Sequence, residues 1–93
     1  MDQEKILELV KSRLTIKHTV RDTYLQAIIK AVLQELSDEK GIVLDPNDDN
    51  QLLFVVDYVT WRYQSRDSKE GMPRHLQYRL HNLFIHAGGG TDV

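Results

Sequence analysis

An all-α bundle of about four helices is the fold this sequence predicts, and three observations carry the prediction. Apolar residues recur at spacings of three and four in four separate stretches, and none of those stretches alternates as a half-buried strand would. Asp, Pro and Gly fall at the junctions between the stretches, where helix starts and stops need them. The chain has 93 residues and no cysteine, so one core without disulfide staples must hold it together.

The first stretch opens at Asp2, a capping residue, and carries Ile6, Leu7, Val10 and Leu14; it predicts a helix over about residues 3–14. Thr15 to His18 break the period. Thr19 followed by Asp22 resembles a capping box with a carboxylate at the positive helix end, so the second helix is expected over about 20–39. Leu25, Ile28, Ile29, Val32, Leu33 and Leu36 form its stripe, and Gly41 is placed to stop it in the left-handed region. Ile42-Val43-Leu44 is too short to assign.

Asp45 and Pro46 predict a third helix over about 46–66, with the proline at its first position. At about 100° per residue, Leu52, Val55, Val56, Val59 and Tyr63 fall on one side, and Phe54, Tyr58 and Trp61 on the other. Two arrangements fit that pattern. Either the helix is sandwiched within one subunit, or its aromatic sector, with Arg62 beside it, meets a neighbouring chain.

Residues 65–70 are polar and aperiodic, which reads as an exposed loop. Pro73 then starts a fourth helix over about 73–86, with Leu76, Leu80, Leu83 and Phe84 as its core stripe. The opposite side presents His75, Arg79, Asn82 and His86 in a row, flanked by Arg74, Tyr78 and His81. That row is either a solvated face or a docking surface. Residues 87–93, with Gly88-Gly89-Gly90, are expected to form a disordered tail of the single domain 1–93.

Hydrophobic residues make up 41% of the chain and charged residues 28%, near the globular average and against disorder. Its net charge of -2 is not that of a basic nucleic-acid glove. Charge is nevertheless segregated: residues 45–60 hold four aspartates and no base, whereas 61–86 hold five Arg and Lys against two acids. No apolar run approaches the ~20 residues of a membrane span or the ~7 to 15 of a signal core. The absence of cysteine fits a reducing compartment and excludes a thiol nucleophile.

Catalytic and metal signatures are not found. Asp45, Asn47 and Asp49 match the alternating ligands of a calcium loop, but Asn50 and Val56 stand where its Gly and Glu belong. His18, His75, His81 and His86 contain no pair four apart on a helix. No serine sits in a nucleophile elbow, and no glycine-rich loop follows a strand. We therefore expect no enzyme, no cofactor and no metal. Trp61, Arg62, Tyr63, Arg66, Arg74, Tyr78 and Arg79 are the candidates for nucleic-acid contact, fewer than a sequence reader needs.

Leu9 to Leu14, a long second helix, Val56-Asp57-Tyr58-Val59 leading into Arg62-Tyr63, then Arg66-Asp67-Ser68 with Gly71-Met72-Pro73 form an ordered set over about residues 4–86. This set resembles the small head-tail connector proteins of long-tailed bacteriophages, also called adaptors or head-completion proteins. The resemblance implies an all-helical subunit that joins about twelve copies of itself in a ring under the portal protein. Such a ring extends the channel for double-stranded DNA without sequence-specific contacts, and seats the next connector or tail protein. It implies assembly in the host cytoplasm and then a place in the virion, away from any membrane. On this reading Phe54, Tyr58, Trp61 and Arg62 are candidates for the subunit interface. Arg66, Arg74, His75, Tyr78, Arg79 and Asn82 are candidates for partner docking. The alternatives are a small DNA-binding or packaging-associated module and a helical protein-interaction domain of another kind.

Overall fold

A computed structural model describes residues 2–45, 47–65 and 71–84. Four α-helices account for most of them: α1 (Gln3–Leu14), α2 (Asp22–Gln34), α3 (Asp49–Gln64) and α4 (Arg74–Phe84). Among the described residues there is no strand. The expected residues Pro46, Arg66 and 85–86, most of the 65–70 loop and the 87–93 tail lie outside the described residues.

Local chemistry sets each boundary. The Asp2 carboxylate accepts the N–H groups of Glu4 at 3.0 Å and Lys5 at 3.3 Å, which caps α1. The helix closes at Thr15, whose φ of 57° is left-handed. There the Thr15 N–H returns to the Ser12 carbonyl and the Ile16 N–H to the Lys11 carbonyl. That closure ordinarily uses glycine, and a β-branched residue in this region is strained.

The start of α2 corrects the capping-box expectation. Arg21 occupies the cap position without a side-chain cap bond, and Thr19 offers only its carbonyl, to the Asp22 N–H at 3.1 Å. The side chains are engaged across the bundle instead. Lys11 Nζ lies 2.8 Å from the Asp22 carboxylate, and Arg21 donates to the Tyr63 hydroxyl. The far end of α2 widens into a π turn over Glu35–Glu39. Lys40 N–H bonds the Glu35 carbonyl at 3.0 Å and Ile42 N–H the Leu36 carbonyl at 2.9 Å, with Gly41 at a φ of 68° between them. Glycine takes up that angle without a Cβ penalty.

Helix α3 begins at Asp49, three residues later than the proline suggested. The Asp48 carboxylate accepts Asn50 N–H at 2.9 Å and Gln51 N–H at 3.3 Å, so Asp48 is the cap. Asp45 closes a separate small turn by accepting Asn47 N–H at 2.9 Å. At α4 the Pro73 carbonyl accepts from Leu76 and Gln77, both at 3.0 Å.

The core is one cluster threaded by α3. Ile6, Val10, Leu25, Ile29, Val32, Leu36, Val55 and Val59 are fully buried, each worth roughly 1.5 to 3 kcal/mol against exposure. Among the described residues, helix α3 packs against all three other α-helices, whereas α4 packs on α3 alone. The sandwich reading of the third helix therefore holds for two of its aromatics. Phe54 is 1% exposed and Tyr58 5%, so as side chains of the subunit's own core they leave almost no surface for a neighbour. Trp61 is only partly buried, against the edge of the same cluster.

Candidate interaction groove

Trp61, His75 and Arg79 meet in one place. They line an open groove of about 410 Å³ between the second half of α3 and the start of α4, with Arg13 of α1 on its rim. Thr60, Pro73 and Leu76 complete the less polar part of its walls.

Behind Trp61, the one aromatic residue lining the groove among those described, an aromatic row continues into the core along α3. The Phe54 and Tyr58 rings are 5.7 Å apart, and Tyr58 stacks on Trp61 at 5.8 Å with an interplanar angle of 18°. Such aromatic pairs add about 0.5 to 1.5 kcal/mol beyond their buried area. Arg79 holds its guanidinium 5.6 Å from the centre of the Phe54 ring, within reach of a cation–π attraction.

Asp57 ties the groove together. One of its carboxylate oxygens receives Arg13 from α1 and the other receives Arg79 from α4. Two cations on one anion leave a net positive rim; His75, exposed, lines the groove, and Arg74, also exposed, precedes it on α4.

A second polar knot lies on the neighbouring side of α3. The Tyr58 hydroxyl donates to Glu35 at 2.7 Å, Arg62 reaches the other Glu35 oxygen at 3.5 Å, and the Arg62 guanidinium sits 5.8 Å from the Tyr58 ring centre. Burial of the phenol, reinforced by the Glu35 carboxylate, pushes the Tyr58 pKa up to about 12. Arg62 is thereby engaged within the subunit. Its expected place in an interface is left with only the part of the side chain that Glu35 does not hold.

The other candidates distribute as follows. Tyr78 is 67% exposed, Arg74 is exposed and Asn82 is partly buried on α4. Arg66 lies outside the described residues, as does the side chain of Phe84. Asp57, Arg13, Glu35 and Gln51 were not singled out from the sequence as site residues. Asp57 did carry a signal, being an acid in the middle of a helix apolar on two faces. Such an acid needs a cation from elsewhere.

Among the described residues no three His, Asp or Glu side chains gather as a metal site, and no helix is long and apolar enough to cross a membrane. No family model, curated protein or solved structure matches this chain.

Proposed function

We propose that this protein is a non-catalytic structural subunit, a bacteriophage head-tail connector that joins copies of itself in a ring and seats partner proteins. The observation that carries this reading is the groove between α3 and α4, where a partly buried Trp61 stands beside a net positive rim. Large aromatics and arginines in an open depression are the side chains that anchor protein partners. The near-neutral net charge of -2 also suits a wall past which DNA must slide, since each phosphate neutralised strengthens binding through counterion release.

Mass measurement by light scattering across concentration, with and without a portal ring, tests the reading. A closed species of many copies supports it, and a monomer under both conditions overturns it.

The exposed Arg74 and Tyr78 on α4 favour one competing reading, a small DNA-binding module. It requires binding of the isolated chain to duplex DNA that falls steeply as salt rises.

A further inference from the structure

Val43 is 73% exposed, yet its backbone carbonyl is held by a buried side chain. The buried side chain of Gln51, 3% exposed, donates to the Val43 carbonyl at 3.1 Å and accepts the Asp45 N–H at 2.7 Å. Next along the chain the Asp48 N–H returns to the Asp45 carbonyl at 3.0 Å. An apolar side chain is thus presented to solvent on a fixed backbone, and a fixed backbone loses little entropy on binding. Asp45, two residues on, and Asp49, in the first turn of α3, are exposed as well. Leu53, 54% exposed, stands one helical turn after Asp49 on the same face.

This apolar and acidic knob has its complement on the same subunit. The groove offers Trp61 and Pro73, both partly buried, under a rim where Arg13 and Arg79 together outweigh Asp57. Asp49 and Asp57 are eight residues apart on α3, about 12 Å at 1.5 Å per residue. The acidic end and the basic groove are therefore distinct places along α3, and a subunit has room to offer its knob to one neighbour while receiving another's in its groove.

We infer that the groove between α3 and α4 is filled by the Val43, Asp45 and Asp49 knob of a second copy of this chain, in a head-to-tail contact. The inference rests on the self-assembly reading above and assigns its two faces. The occupant follows from charge complementarity, acid to base, and from one apolar side chain on each side, the exposed Val43 of the knob and the partly buried Trp61 of the groove. A head-to-tail contact of two different patches generates a ring when its rotation closes.

Two variants test it, both at exposed positions so that folding is kept: Val43→Lys with Asp49→Lys on the knob, and Arg74→Glu with His75→Glu at the groove. Circular dichroism of each should match the parent chain. Each variant alone should self-associate at least tenfold more weakly by sedimentation. An equimolar mixture should associate more tightly than either variant alone, because the intact knob of one meets the intact groove of the other, and the parent's association should weaken as salt rises. Parent assemblies that both variants form equally well overturn the knob-and-groove contact and leave the ring reading standing. A parent that stops at two copies, with both variants impaired, keeps the contact and overturns the ring. A parent that stays monomeric at all concentrations overturns both.

Discussion

Asp57 of α3 and Arg79 of α4 form the ion pair that fastens the last helix to the bundle, while the second oxygen of Asp57 holds Arg13 of α1. The Asp57 side chain is 19% exposed and those of Arg79 and Arg13 37% and 55%, so each pair by itself is partly screened by water. Replacing Asp57 by Asn removes both attractions and leaves two cations facing each other. We expect a loss of about 1 to 2 kcal/mol, given ~0.2 to 1 kcal/mol for an exposed pair and more for a shared one. In a thermal melt that is a fall of several degrees, since about 1 kcal/mol moves Tm by roughly 4 to 8 °C in a domain of this size. An unchanged melt would show the bridge to be energetically idle.

Tyr58→Phe should change the alkaline limb of stability. The phenol titrates near 10.0 when unfolded and is pushed up to about 12 in the fold, so folding favours its protonated form. That contribution is fully present below pH 10 and is lost as pH rises through 12. The parent chain should lose on the order of 2 kcal/mol between those values that the variant does not lose. Denaturant melts of the two proteins at pH 9 and near pH 12, compared as a difference, isolate this group from the other tyrosines and the lysines.

Thr15→Gly should stabilise the protein. The left-handed region costs a non-glycine residue about 1 to 2 kcal/mol, and glycine's greater unfolded-state freedom returns roughly 0.5 to 1 of it. A gain of up to about 1 kcal/mol in urea denaturation is the expected result. Loss of the Thr15 hydroxyl bond to the Leu14 carbonyl, 2.6 Å in the fold, works in the opposite direction, so a net loss would mean that this bond outweighs the strain.

Gln51→Leu should free the loop that carries Val43. Two backbone groups, the Val43 carbonyl and the Asp45 N–H, lose their partner, and each unpaired group costs about 1 to 3 kcal/mol when it cannot reach water. The Asp45 amide should exchange its hydrogen much faster in the variant. Unaltered exchange there would contradict the anchoring role of Gln51.

Trp61→Ala separates partner anchoring from core packing. The side chain sits partly exposed at the edge of the cluster, so self-association should weaken by tenfold or more while helical content stays. A collapse of the far-ultraviolet helical signal would instead assign the indole to the core. Trp61 is also the chain's one tryptophan, and its fluorescence reports directly on what enters the groove.

Periodicity made the four helices legible, because apolar spacing and capping chemistry are local. Asp2, Gly41 and the stripe from Leu25 to Leu36 stand where the pattern placed them. The errors arose where distant residues decide. Asp22 and Arg21 are claimed by Lys11 and Tyr63, and no local rule anticipates that. Between the two acids Asp45 and Asp48, only backbone geometry selects Asp48 as the cap. The groove was half legible: helix angles place Phe54, Tyr58 and Trp61 in one sector, but which of them the subunit encloses depends on where α4 lies. Arg13 and Asp57 are 44 residues apart, a separation at which periodicity carries no information.

The π turn at Glu35–Glu39 makes that stretch the part of the bundle most tolerant of a change in chain length. Its closing bond spans one residue more than an ordinary helical turn, and Ser37, Asp38 and Glu39 are all exposed. Deleting one of these three lets the turn tighten to normal winding while Leu36 and Ile42 stay seated. The same deletion within α3 would swing every later side chain by about 100° and drive Asp57 toward the valines.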